Sequence, residues 1–223
     1  MIVYPNAKIN LGLNVLKKRS DGYHEISSVF YPVKQVFDIL EIIPSDVFSF
    51  TSSGFIIPGE SNICMKAYDL LKLDFDISPV KIHLHKKIPI GAGLGGGSSD
   101  GASTLIVLNQ LFNLRLSSDQ LARYALKLGA DCPFFIENTP KYVTGVGEIM
   151  MPINLDLSSF DLRFIIPKFH ISTAESYTQI KPEAPSKKIL DCIKLPVECW
   201  KGTIKNDFET VTFSKYPSLQ ILK

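Results

Sequence analysis

Five glycines fall within the seven residues Gly91-Ala92-Gly93-Leu94-Gly95-Gly96-Gly97, and nothing else in the chain constrains its fold so tightly. Before them Val80, Ile82 and Leu84 alternate with Lys81, His83 and His85, the period of a strand. After them Ala102, Leu105, Ile106, Asn109 and Phe112 recur at steps of three and four, which predicts a helix whose first turn is Ser98-Ser99-Asp100. A strand, a run of residues without Cβ atoms and a helix N-terminus together let backbone N–H groups converge on an anion. The unpaired first amides and the helix dipole favour a negative charge there by up to ~2 kcal/mol in a partly buried setting. A plain turn needs one or two glycines, so five point to a phosphate cradle, with Lys86 and Lys87 just upstream.

Several common phosphate loops do not fit. A Walker loop ends in Gly-Lys-Ser/Thr, whereas Gly97 is followed by Ser98-Ser99. Gly91, Gly93 and Gly96 satisfy GxGxxG, but the acid a dinucleotide site wants at a strand end is here Asp119, at a helix start with no strand before it. The HRD and DFG signatures of protein kinases are missing.

Charge narrows the partner. The 24 basic and 22 acidic residues leave a formal +2, too small a field for nucleic acid or an anionic membrane as main partner. A small molecule is expected. A length of 223 residues suffices for a core without disulfides or a structural metal. The four cysteines stand singly, with no CxxC pair, and read as reduced thiols. MIVYPNAKIN lacks the basic and apolar regions of a leader, and no apolar run approaches the ~18 residues of a membrane helix. A soluble, cytoplasmic protein is expected.

Elsewhere Ile9, Leu11, Leu13 and Val15 alternate as a half-buried strand, followed by a Ser20-Asp21-Gly22 turn and further strand-like stretches to Ile43. Asn62 to Leu73 has helical spacing, and Ser117 with Gln120 has the spacing of a capping box for another helix ending near Gly129. Beyond Pro152 the pattern resets, and a boundary is drawn there. Leu162, Phe164 and Ile166 read as a strand, 181–187 as a loop, and Asn206-Asp207-Phe208-Glu209 as a helix start.

The run Pro89-Ile90-Gly91-Ala92-Gly93-Leu94-Gly95-Gly96-Gly97-Ser98-Ser99 resembles the Pro-x-x-x-Gly-Leu-Gly-x-Ser-Ser signature of the GHMP small-molecule kinases. Pro5-Asn6-Ala7-Lys8-Ile9-Asn10-Leu11, Asp21-Gly22-Tyr23-His24, Gly129-Ala130-Asp131-Cys132-Pro133 and Gly145-Val146-Gly147-Glu148 follow the order found in the cytidine-binding branch of that family. The resemblance implies an α+β GHMP kinase fold. Residues 1–152 would form an N-terminal βα domain of the ribosomal-protein-S5-domain-2-like type, and 153–223 an incomplete C-terminal α/β domain that closes over substrate.

It also implies the chemistry: ATP-dependent phosphorylation, with Mg²⁺, of the 2-hydroxyl of a cytidine diphosphate-linked methylerythritol in the non-mevalonate isoprenoid route. Asp131 would be the general base and Lys8 its partner in orienting the hydroxyl. Pro89, Gly91, Gly93, Leu94, Gly95, Gly96, Gly97, Ser98 and Ser99 would hold the nucleotide phosphates, and Asn62 and Lys86 would line the adenine pocket. Asn10, Tyr23, His24, Thr173 and Tyr177 would bind the acceptor, the tyrosines as stacking faces and His24 as a hydrogen-bonding partner for cytosine. No metal ligand is assigned, although Ser98 or Ser99 could offer a hydroxyl and Asp100 is close.

The residues by themselves leave plainer readings open. Asp131 could be an N-cap, Lys8 a surface lysine, Asn62 a helix cap, Lys86 a solvated strand end, and Tyr23-His24 an exposed turn. Another GHMP kinase of homoserine or mevalonate type, or an inactive nucleotide-binding module, are the alternative functions. Family members carry a further Ser-Gly-Ser-Gly motif, and none follows Gly202. A chain ending at Lys223 is therefore expected to bind nucleotide weakly.

Overall fold

In a computed structural model the described residues are 1–59, 61–167, 177–185 and 187–222. They form two compact units, one of residues 1–9 and 32–139, the other of residues 10–31 and 140–223. This differs from the boundary drawn after Pro152. The first hairpin contributes to both units, which a linear reading of composition along the chain cannot detect.

The first unit holds a sheet of order β1 (Ile2–Val3), β4 (Ile39–Pro44), β6 (Val80–Lys86), β5 (Ser49–Gly54). β4 pairs antiparallel with β1 and β6, while β5 runs parallel to β6. Leu40 and Ile42 of β4, and Val80, Ile82 and Leu84 of β6, turn one face of the sheet into a core. Helices α1 (Ile63–Lys72), α2 (Gly96–Leu111) and α3 (Ser118–Leu128) cover it with Ala67, Tyr68, Leu71, Leu105, Leu108, Leu121 and Ala125. Burying a side chain of this size is worth about 1.5–3 kcal/mol, so this packing fixes where β6 ends and α2 begins. The predicted capping box closes α3: the Ser117 hydroxyl accepts from Gln120 N–H and the Gln120 side chain from Ser117 N–H.

The second unit is built on a sheet of order β2 (Asn6–Lys18), β3 (His24–Phe37), β7 (Lys141–Thr144), β8 (Ile149–Pro152). Leu13, Val15 and Ile26 form its apolar cluster, with Tyr177, Ile180 and Phe208 against it. The Asn206-Asp207 segment is pinned to β2: Leu13 N–H donates to Lys205 O (2.9 Å), Asp207 N–H to Leu13 O (2.8 Å) and Val15 N–H to Asp207 Oδ2 (2.7 Å). The predicted helix start is observed, with a helix over Phe208–Lys215.

One expectation needs correction. Leu162, Phe164 and Ile166 form no strand, and Leu162 and Ile166 are exposed. Alternation alone cannot make a strand where no neighbour supplies hydrogen bonds. By contrast β5, SFTSSG, on which the sequence pattern is silent, is a strand because β6 offers it a parallel edge. No helix among the described residues is long and apolar enough to cross a membrane.

Candidate active site

α2 begins at Gly96, two residues earlier than its predicted first turn, so the last glycines are already helical. Gly95 stands at φ +68°, and a Cβ there would meet Lys8 Cγ at 2.9 Å and Phe135 Cζ at 3.0 Å. No other residue type suits both the conformation and the space. Gly91, Ala92, Gly93 and Gly97 are exposed, while Leu94 is buried and anchors the loop. The result is an open backbone surface at the N-terminus of a 16-residue helix, whose first amides have no intrahelical acceptor.

Lys8 links this loop to Asp131. Its backbone N–H donates to Leu94 O at 2.8 Å, and its Nζ lies 3.3 Å from Asp131 Oδ2. The lysine side chain is 5% exposed and the aspartate 34%. The surface-lysine reading therefore fails. The N-cap reading of Asp131 fails as well, since the short helix Phe134–Glu137 has Pro133 at its cap and no side-chain cap bond. Asn6 secures the strand carrying Lys8, because its Oδ1 accepts from Asn138 Nδ2 at 2.6 Å just past that short helix. One carboxylate thus faces a buried cation on one side and water on the other, beside the phosphate loop.

A second lysine behaves differently. Lys86 Nζ donates to Asp38 Oδ2 and, at 2.7 Å, to Asp100 Oδ2. All three residues are buried, Asp38 completely. Lys86 is therefore no solvated strand end: its ammonium group is engaged beneath the loop, where a Cβ on Gly96 would meet its Nζ at 2.9 Å. Burial pushes the Asp100 carboxyl up to about 8, against the pull of the Lys86 ammonium. Burial draws the Lys86 ammonium down, but the attraction and hydrogen bonds of Asp100 and Asp38 outweigh it and raise its pKa overall. Cys132, next to Asp131, is pushed up to about 11 by burial and stays a thiol.

Asn62 is buried, and its Oδ1 accepts from Cys64 N–H at 2.8 Å, the cap of α1. Ser99 is buried in the first turn of α2 and Ser98 is half-buried, while Pro89 leads into the loop. In the second unit the rings of His24 and Tyr177 stack at 5.0 Å and 14°, and Phe208 meets Tyr177 edge-on at 4.9 Å. Tyr23 is 65% exposed, and Asn10 is half-buried on β2. Thr173 lies outside the described residues.

Asp38 escaped the sequence reading. Its signal was available: an acid interrupting Val36-Phe37 and Ile39-Leu40 has apolar neighbours on both sides and must find a cation if buried.

The GHMP kinases N terminal domain matches residues 62–138. A 4-diphosphocytidyl-2-C-methyl-D-erythritol kinase of Azobacteroides pseudotrichonymphae is 47% identical over the whole chain, which covers 84% of that protein. One of Cytophaga hutchinsonii is 49% identical, again over the whole chain and 83% of the relative. A crystal structure of 4-(cytidine 5'-diphospho)-2C-methyl-D-erythritol kinase matches with a TM-score of 0.76 at 30% identity, covering all of this chain and 81% of that one.

Proposed function

The chain belongs to the 4-diphosphocytidyl-2-C-methyl-D-erythritol kinase family of GHMP kinases, and we propose on that footing that it transfers the γ-phosphoryl group of ATP to the 2-hydroxyl of 4-diphosphocytidyl-2-C-methyl-D-erythritol. Both relatives carry the cytidyl name, so a homoserine or mevalonate type of acceptor is not favoured. The observation that carries the reading is the ion pair of Lys8 and Asp131, tied through the Lys8 backbone to the glycine loop.

Phosphoryl transfer to an alcohol is mostly positioning and charge stabilisation. The open amides from Gly91 to Ser98 would bind the phosphate oxygens, the Ser99 N–H being taken by Gly95 O. Asp131, in contact with water and held by Lys8, would accept the hydroxyl proton as the oxygen attacks phosphorus, while the Lys8 ammonium stabilises the negative charge on that oxygen. The O–P bond to the acceptor forms as the bond to ADP breaks. Among the described residues no three His, Cys, Asp or Glu side chains gather to hold a metal. That fits Mg²⁺, which keeps waters and phosphate oxygens as its main ligands and needs little from the protein beyond a hydroxyl such as that of Ser98 or Ser99. When bound, the ion supplies charge neutralisation on the transferred group.

For the base, His24 and Tyr177 already touch each other, so cytosine would stack on the outer face of the pair, with Tyr23 free to approach it. The four free cysteines are in keeping with a reducing, cytoplasmic setting. The test is ATP-dependent ADP release in the presence of the cytidyl alcohol. The reading requires turnover that Asp131→Asn abolishes; ATP binding without turnover would leave the chain an inactive module.

A further inference from the structure

The buried cluster under the loop touches more of the site than its members' positions in the chain suggest. Asp38 Oδ1 accepts from two consecutive amides, Lys87 N–H at 2.6 Å and Ile88 N–H at 2.8 Å, where the chain leaves β6 toward the glycines. Asp38 Oδ2 accepts from Lys86 Nζ, which also holds Asp100 in the first turns of α2, where the chain leaves the loop. The Asp38 backbone N–H donates to Pro5 O at 2.8 Å, at the start of the strand that carries Lys8. One completely buried side chain therefore holds the incoming end of the phosphate loop directly and the outgoing end through Lys86, while its own amide holds the root of the Lys8 strand.

We propose that Asp38 is a positioning residue for the phosphate-binding loop, its carboxylate tying the incoming chain at Lys87 and Ile88 to helix α2 through Lys86 and Asp100. A glycine-rich loop has the largest conformational freedom of any segment, and ordering it when nucleotide binds costs about 1–2 kcal/mol for each residue fixed. A tether at both ends removes part of that cost before the ligand arrives. Lys86 serves here as a link between two buried aspartates rather than as a phosphate ligand. That explains why a lysine so near an anion site has its charge already matched. Asp38 touches no reacting atom, so its effect should fall on nucleotide affinity and leave the chemical step alone.

The proposal rests on the reading of the loop as the ATP phosphate site, and the experiment separates the two. Asp38→Asn keeps an acceptor for the two amides and removes the charge that holds Lys86. Asp100→Ala cuts only the link to α2 and leaves Lys86 paired with Asp38, so it decides the matter if Asp38→Asn does not fold. Each folded variant is compared with the full chain for steady-state turnover and for backbone amide exchange of residues 87–99 without nucleotide. Expected are a KM for ATP raised at least fivefold, kcat within about threefold, an unchanged KM for the cytidyl alcohol, and at least fivefold faster amide exchange in the loop. Wild-type KM for ATP together with wild-type exchange in folded variants would overturn the proposal. So would a fall in kcat with KM for ATP unmoved. If the wild-type chain neither turns over ATP nor binds ADP, the kinase reading fails, and the exchange rates still judge the tether.

Discussion

Two lysine–carboxylate clusters lie against the same glycine loop, and they differ in one respect that separates chemistry from scaffold. Lys8 pairs with a carboxylate that is a third exposed, whereas Lys86 meets two that water does not reach. A carboxylate open on one side can exchange a proton with a substrate. One closed on all sides is beyond a substrate's reach. The residue types are the same in both, so composition at these positions says nothing about role. What distinguishes them is burial, and burial is set by where β2, β6 and α2 bring their ends together.

The sharpest way to break this contrast is to exchange its expected consequences. Asp131→Asn removes the proton acceptor, and loss of a positioned general base costs about 10²–10⁴ in rate. kcat for ADP release should fall by that factor, with a smaller loss of thermal stability than truncation of Asp38 to Ala, because the Asn side chain keeps an oxygen that can accept from Lys8 Nζ, whereas truncating Asp38 leaves Lys86 and two backbone amides without that acceptor. Equal or greater destabilisation by Asp131→Asn, with kcat within tenfold of wild type, would mean that the exposed pair is also scaffold.

Next in size is Asp38→Ala. Removing one partner of a buried ion pair costs about 3–5 kcal/mol, since the remaining charge has no solvent. Here Lys86 would keep only Asp100, and the Lys87 and Ile88 amides would lose their acceptor. Urea unfolding should report a loss in that range, and a loss below about 1 kcal/mol would remove Asp38 from the list of structural charges.

The contrast also marks how far the sequence could be read. The strand, glycine run and helix around Gly91 to Ser99 were visible because periodicity and glycine count are local properties. The pairing of Lys8 with Asp131 was visible only through resemblance: 123 positions separate the two, and no local pattern links them. The apolar stretches on both sides of Asp38 suggest a need for a cation, but no local pattern says that it is met by a lysine 48 residues on. The segment Leu162 to Ile166 was misread for the opposite reason. Its alternation is real, but a strand is a relation between segments, and no described strand pairs with it. The compact units are likewise a relation between segments, since contacts and not chain order assign residues 10–31 to the second unit.

Titration sharpens the comparison further. In the folded chain burial raises the Asp100 carboxyl to about 8 from an ordinary 3.8. Between those values the native state holds a proton that the unfolded chain releases, so stability falls as pH rises. The contribution is complete below about 4 and gone above about 8. One proton corresponds to a slope of at most about 1.4 kcal/mol per pH unit. Thermal scans from pH 5 to pH 8 should show this decline, and Asp100→Asn, which cannot titrate, should flatten it. A slope identical in the variant would assign the proton to another group.

The smallest effect tests whether the distinction extends to an uncharged residue. Asn62 is buried at the start of α1, with its Oδ1 on Cys64 N–H, and is also the position that family resemblance assigns to the adenine pocket. An N-cap is worth about 1 kcal/mol, and Asp can cap as well as Asn. If capping is its whole work, Asn62→Ala loses about that much in urea unfolding, Asn62→Asp loses little, and KM for ATP is the same in both variants. If the amide also meets adenine, Asn62→Asp restores stability but not affinity, because a carboxylate has no N–H to donate. A raised KM for ATP in a fully stable Asn62→Asp would give this residue both roles, and burial would then no longer be enough to sort scaffold from site.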